Sequence, residues 1–204
     1  MRGPVRTVVY GLADPVQARE VGLLGVDAAI IAIGDEHPAG VDPQRAAEVA
    51  AALPPLTVKL VYLGEDTRMP RGFNGSVSEP SRDRPADSPT HLVRLRHSEA
   101  GAGFLGVAGV DAVWLRPSGD GSSSATRFDF DMISRLSIRY PTILEIPDGA
   151  AGIEPAVRLG RPYGVLLGEA AWFRPGILDL DQIESALAVT ARLNKMLTGQ
   201  ALDA

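Results

Sequence analysis

Short apolar runs alternating with capped, amphipathic segments predict an α/β fold built on a parallel sheet. Three observations carry this reading. Residues 28–33 are continuously apolar, as in a strand covered on both faces. Asp14-Pro15 and Asp42-Pro43 each set a capping carboxylate before a proline at the first helical position. Ala46, Val49, Ala50 and Leu53 form the i, i+3, i+4, i+7 stripe of a helix lying on a sheet. Strands that alternate with helices pair in parallel, because each crossover passes over one face of the sheet. A chain of 204 residues built this way suits either a (β/α)8 barrel or an open doubly wound sheet, and periodicity does not separate them. The lack of a G-x-G-x-x-G turn after the first strand counts against a dinucleotide-binding sheet.

In chain order, residues 7–10 read as the first strand, and the helix opened by Asp14 runs to about Leu24, where Gly25 stops it. The strand at 28–33 and the helix opened by Asp42 follow, and Pro54-Pro55 ends that helix. Further short apolar strands are predicted at 58–63, 91–96, 112–115, 142–146 and 164–167. A last helix starts near Asp181 with Ile183, Ala186 and Leu187 on one face, Lys195 in its last turns and Gly199 just beyond. Residues 64–90 break the pattern: they are polar, and no helical stripe stands out. A loop this long inside a compact domain is uncommon. Either residues 73–77 supply a short fourth strand, or the sheet is open there and a second copy of the chain covers the exposed edges.

Composition narrows the function classes. The chain is 45% hydrophobic and 22% charged, ordinary for one globular domain over residues 1–204. A net charge of −5 argues against a nucleic-acid partner, which leaves a basic face. The absence of cysteine excludes disulfides and thiolate chemistry. His37, His91 and His97 show no metal-ligand spacing, so no metal is expected, and no cofactor either. No apolar run reaches membrane-spanning length and no signal-peptide pattern opens the chain, so a cytoplasmic protein is expected. Abundant Ala, Gly, Pro and Arg suit a GC-rich bacterial genome.

Three stretches carry a family resemblance: Val8-Val9-Tyr10-Gly11-Leu12, Arg158-Leu159-Gly160-Arg161-Pro162-Tyr163-Gly164-Val165, and Arg174-Pro175-Gly176-Ile177-Leu178-Asp179. In type and order they resemble phosphoribosylanthranilate isomerase. The resemblance implies a TIM (β/α)8 barrel, incomplete or irregular where the third helix, fourth strand and fourth helix belong. It also implies an active site at the C-terminal ends of the strands.

The same resemblance puts the family's chemistry in question. Its first strand ends in Lys-Ile-Cys-Gly-Leu, with the cysteine as general base, and Tyr10 stands in that place. Its general acid is an aspartate in Leu-Leu-Asp-Ser, where this chain has Trp114-Leu115-Arg116-Pro117-Ser118. Tyrosine is a poor base near neutral pH and arginine does not give up its proton. The family's Ser-Pro-Arg carboxylate anchor reads His37-Pro38-Ala39. Its paired glycines after strand seven read Ile146-Pro147, and its Ser-Ser-Gly phosphate loop reads Gly168-Glu169-Ala170. A proline offers no N–H to a phosphate, and a carboxylate repels one.

The candidate catalytic residues are therefore Tyr10, Arg116 and Glu145, and the candidate ligand-binding residues are His37, Asp120, Asp148, Gly168, Glu169 and Trp172. Each has a plainer reading. Tyr10 fills a disused pocket. Arg116 pairs internally with Glu145 or Glu169. Asp148 and Glu145 are loop carboxylates, and His37 and His97 lie on the solvated surface. Residues 118–124, including Asp120, form a flexible linker. Trp172 covers the barrel mouth. The leading expectation is an isomerase-like barrel repurposed for a different small molecule bound in its mouth. A non-catalytic binding or scaffold protein is the alternative, with a homodimer through the 60–90 region. An authentic isomerase of tryptophan synthesis is the second alternative.

Overall fold

The structure is a computed structural model that describes residues 3–63, 68–80, 83–100, 109–117 and 128–202. Eight strands pair in sequence order: β1 (Arg6–Tyr10), β2 (Ala28–Ile33), β3 (Val58–Leu63), β4 (Gly75–Ser78), β5 (His91–Arg96), β6 (Ala112–Arg116), β7 (Thr142–Glu145) and β8 (Gly164–Leu167). All neighbours are parallel, and β8 returns to β1 with Val8 opposite Leu166, so the ring is a closed TIM (β/α)8 barrel.

Strand periodicity sorts the apolar residues into two cores. Val8, Ile30, Leu60, Val77, Leu92, Trp114, Ile143 and Leu166 point into the ring. Val9, Ile31, Val61, Val93, Leu115, Leu144 and Val165 point outward against the helices. Local chemistry starts those helices where the sequence predicts. Asp14 accepts from the Val16 and Gln17 amides at 2.8 and 3.0 Å to open α1 (Pro15–Leu24), and Gly25 closes it with φ of 95°. Asp42 accepts from the Arg45 amide at 2.8 Å to open α2 (Pro43–Ala52). The helices α3 (Phe130–Arg139), α4 (Ala150–Gly160) and α5 (Leu180–Leu202) cover the other side. Gly199 does not end α5, which runs on to Leu202. A single glycine costs a helix only about 1 kcal/mol against alanine. A small hairpin, β9 (Trp172–Arg174) with β10 (Ile177–Leu178), caps the barrel after β8 and has no counterpart in the sequence reading.

The irregular stretch resolves in favour of a short strand. β4 pairs with β3 through Ser76 opposite Val61 and with β5 through Ser76 opposite His91, so the ring has no open edge at 60–90. Among the described residues, no helix follows β3 or β4. A buried polar network replaces the missing helix packing outside β4. Ser76 Oγ lies 2.9 Å from His91 Nδ1 and donates to Ser88 Oγ at 2.8 Å, and Ser78 Oγ lies 3.3 Å from His91 Nε2. Arg84 pins the covering loop by donating to the Ser88 and Pro89 carbonyls at 2.8 Å and pairing with Asp111 at 3.1 Å.

No helix is long and apolar enough to cross a membrane among the described residues. Nor is any group of three or more His, Asp or Glu side chains among them placed to hold a metal ion.

Candidate active site at the barrel mouth

Strand alternation sends Tyr10, Tyr62, Arg94 and Trp114 into the upper half of the barrel, where three rings meet edge-on or tilted beside the Arg94 guanidinium. Tyr10 sits 5.1 Å from Trp114 and 6.5 Å from Tyr62, centroid to centroid. The Arg94 guanidinium lies 4.7 Å over Trp114 and 5.2 Å over Tyr62, close enough for cation–π attraction. Its Nη1 donates to Glu79 Oε1 and to the Tyr62 hydroxyl, each at 3.3 Å. The Tyr62 hydroxyl also donates to Glu79 Oε1. Arg94 Nε is buried and has no hydrogen-bond partner.

Across this floor, Glu145 ends β7. Its Oε2 accepts from Trp114 Nε1 at 2.9 Å and from Arg116 Nε at 3.1 Å. Its Oε1 faces Gly168, where an added Cβ would lie 3.0 Å away. Glycine at 168 thus leaves the carboxylate room to stand upright. Burial pushes the Glu145 carboxyl above the ordinary carboxylate range, and the charges of Arg116 and Arg94 oppose that rise without cancelling it. Arg116 is only partly covered, with its side chain 30% exposed. Among the described residues, its Nη1 and Nη2 atoms make no hydrogen bond.

Tyr10 is buried, and burial pushes its hydroxyl up to about 12. Such a phenol stays protonated at neutral pH and is not a base. Trp172 crosses above it, donating Nε1 to the Tyr10 carbonyl at 2.8 Å with ring centroids 5.8 Å apart. Trp172 also lies where a side chain on Gly11 would be, with its ring 2.5 Å from an added Cβ.

The structure brings Tyr10, Arg116, Glu145, Gly168 and Trp172 together. His37 joins them at the edge, its ring 4.3 Å from Tyr62, so it packs on the mouth and does not lie free on the surface. Glu169 is exposed in a 3-10 turn at the rim and bears on Glu145 only through its charge. Asp148 is exposed beyond β7. Asp120 lies outside the described residues. His97 is structural: its Nε2 accepts from the Asp129 amide at 3.1 Å, beneath the start of α3.

Sequence reasoning missed Tyr62, Glu79, Arg94 and Trp114. The signal was present in the alternation, because Arg94 lies two residues after Leu92 and Trp114 two after Ala112, which puts both inside the ring.

No protein-family model matches this sequence, and no curated protein matches it. Solved structures do match. Phosphoribosyl anthranilate isomerase from Thermotoga maritima superposes with a TM-score of 0.75 at 15% identity, over 92% of this chain and 98% of that one. The Thermus thermophilus enzyme gives 0.77 at 16% identity, over 93% and 100%. A third structure, a phosphoribosyl anthranilate isomerase in complex with reduced 1-(o-carboxyphenylamino)-1-deoxyribulose 5-phosphate, gives 0.74 at 14%, over 92% and 98%. By its closed ring, strand order and extent, the chain resembles the phosphoribosylanthranilate isomerases and shares their (β/α)8 barrel fold.

Proposed function

We propose that the barrel mouth binds a small molecule carrying an oxyanion, that Glu145 moves a proton on it, and that the isomerisation of phosphoribosylanthranilate has been given up. The observation that carries this is the half-used state of one ion pair. Among the described residues Arg116 is engaged only through Nε, on Glu145, which leaves its Nη pair for a ligand, while Glu145 keeps Oε1. A planar guanidinium fork matches a carboxylate or another oxyanion. A carboxyl raised above its ordinary range by burial keeps its proton to higher pH than a solvated one, which suits a group that gives and takes a proton. The buried rings of Tyr10, Tyr62 and Trp114 give the ligand an apolar floor.

The same geometry weighs against the family substrate. Its phosphate belongs at the ends of β7 and β8, where Glu145, Pro147 and Glu169 now stand. Tyr10, with its hydroxyl near 12, does not replace a basic thiolate. A tryptophan auxotroph lacking its isomerase tests this half of the proposal. Expression of this chain is expected to give no growth without tryptophan, and robust growth would overturn it. A thermal-shift screen of small carboxylates and matched amides tests the other half. A carboxylate that stabilises the wild type but not Arg116→Met supports it. A hit list that ignores charge and position 116 refutes it.

A second reading, binding without catalysis, is favoured by how completely the rings and Arg94 fill the interior beneath the mouth. It predicts that Glu145→Gln keeps the ligand and that no ligand is turned over by the wild type.

A further inference from the structure

The opposite, N-terminal end of the barrel holds a cavity of about 440 Å³. It lies below the cluster of Tyr10, Tyr62 and Trp114, between inward-facing side chains of the lower halves of the strands. Val8, Ala28, Leu60, Leu92, Ala112 and Ile143 form its walls. The cause is in the sequence. Barrels commonly fill this layer with branched side chains. Here β2 and β6 each begin with an inward-facing alanine, Ala28 beside Val8 and Ala112 beside Leu92.

Two further features show what such a cavity accepts. The large apolar side chains around its opening are exposed: Leu56 at 95%, Val58 at 44% and Tyr163 at 52%. Exposed apolar groups that lead into an apolar hollow mark a binding surface more often than a scatter of single residues does. The charged groups at the rim are, in contrast, already committed within the protein. Asp27 accepts from Arg6 Nη1 and from the Thr7 amide, both at 2.8 Å. Asp111 Oδ2 accepts from the His91 amide at 2.8 Å and pairs with Arg84 at 3.1 Å. A charged ligand would have to break one of these pairs or leave its own charge buried and unpaired, and both are costly.

We propose that this N-terminal cavity is a second binding site, separate from the mouth, for an uncharged and mainly apolar small molecule of about one or two rings. A cavity of about 150 Å³ lined by aliphatic side chains takes up benzene. Small-molecule pockets span roughly 300–1,000 Å³. The volume here falls in that second range. Binding would remove water from Leu56 and Val58 and fill space that the alanines leave open.

Methyl NMR titration with indole and with toluene tests the site. The expected result is saturable one-to-one binding that moves the methyl signals of Val8, Leu60, Leu92 and Ile143. Ala112→Leu, which fills the cavity, is expected to weaken that binding at least about tenfold while the fold persists. Should that variant fail to fold, Leu92→Ala enlarges the cavity, and binding of naphthalene is then expected to tighten relative to wild type. Absence of saturable shifts with either probe overturns the proposal. So do shifts confined to the mouth around Tyr10 and Trp172, or binding that Ala112→Leu leaves unchanged.

Discussion

Arg116 meets Glu145 through Nε, 3.1 Å from Oε2, and not through its paired Nη atoms. An arginine bound only to stabilise a carboxylate would gain more from the bidentate arrangement. The single-point contact leaves the fork without a hydrogen bond among the described residues. Arg116→Met removes the fork and one of the two donors to Glu145 Oε2. It is expected to cost about 1.5–3 kcal/mol of stability, the range for a hydrogen bond to a charged group. Urea unfolding at neutral pH measures it. Arg116→Lys restores the charge but not the fork, so it should recover part of the stability and little of any oxyanion binding.

The Glu145 carboxyl carries a distinct pH signature. Its folded-state pKa is raised above the ordinary value of 4.5, mainly by burial. The folded protein therefore holds this proton more tightly than the unfolded chain. The group favours folding fully below the unfolded value, and that contribution is lost as pH rises through the folded value. Glu145→Gln keeps the shape and an oxygen acceptor but does not titrate. The stability difference, Glu145→Gln minus wild type, is expected to shift in favour of the variant as pH rises from about 4 toward neutrality. Thermal melts of both proteins across that range check it, and a flat difference would show that Glu145 ionises as a solvated carboxylate does.

Much of the scaffold was readable because its determinants are local. Asp14 and Asp42 cap helices within their own turns, and the apolar run of β2 reports burial on both faces without reference to any other strand. The Arg116–Glu145 pair was also foreseeable once both residues were placed at adjacent strand ends. The floor of the mouth was harder to see. A lone arginine in an apolar strand reads equally well as solvent-facing, and only closure of the ring turns Arg94 inward onto Trp114. Trp172 reaches Tyr10 across 162 residues of sequence through a hairpin with no strong local pattern. The polar stretch before β5 was misleading for a related reason. Its serines cover the outside of β4 through hydrogen bonds, so no apolar stripe was needed to build the strand.

Gly11 joins β1 to the cover of the mouth. Its φ of 94° is in the left-handed region, and Trp172 occupies the space that a Cβ would take. Gly11→Ala therefore combines backbone strain with a displaced indole. The backbone strain alone costs about 1–3 kcal/mol. The expected outcome is a lower melting temperature together with a red shift of tryptophan fluorescence, as Trp172 loses its bond to the Tyr10 carbonyl. Loss of stability with unchanged fluorescence would place the strain elsewhere.

His91 is expected to set the acid limit of the barrel. Burial pulls its pKa below the ordinary 6.5, with the Arg84 charge adding to the effect and Asp111 opposing it. It is therefore neutral in the folded state near pH 7 and accepts or donates within the Ser76–Ser78 network. The unfolded chain takes up the proton more readily than the folded one. Stability is thus fully present above the unfolded value and falls as pH drops below about 6.5 toward the folded value. His91→Leu removes the titration and one hydrogen-bond partner from each of Ser76 and Ser78, whose hydroxyls keep Ser88 Oγ and the Glu79 carbonyl, at about 0.5–1.5 kcal/mol for each bond lost. At pH 7.5 the variant should be clearly less stable than wild type, and the gap should narrow as pH falls from 6.5 to 5. A gap that widens on acidification would mean that the folded state prefers charged His91, contrary to its burial against β4.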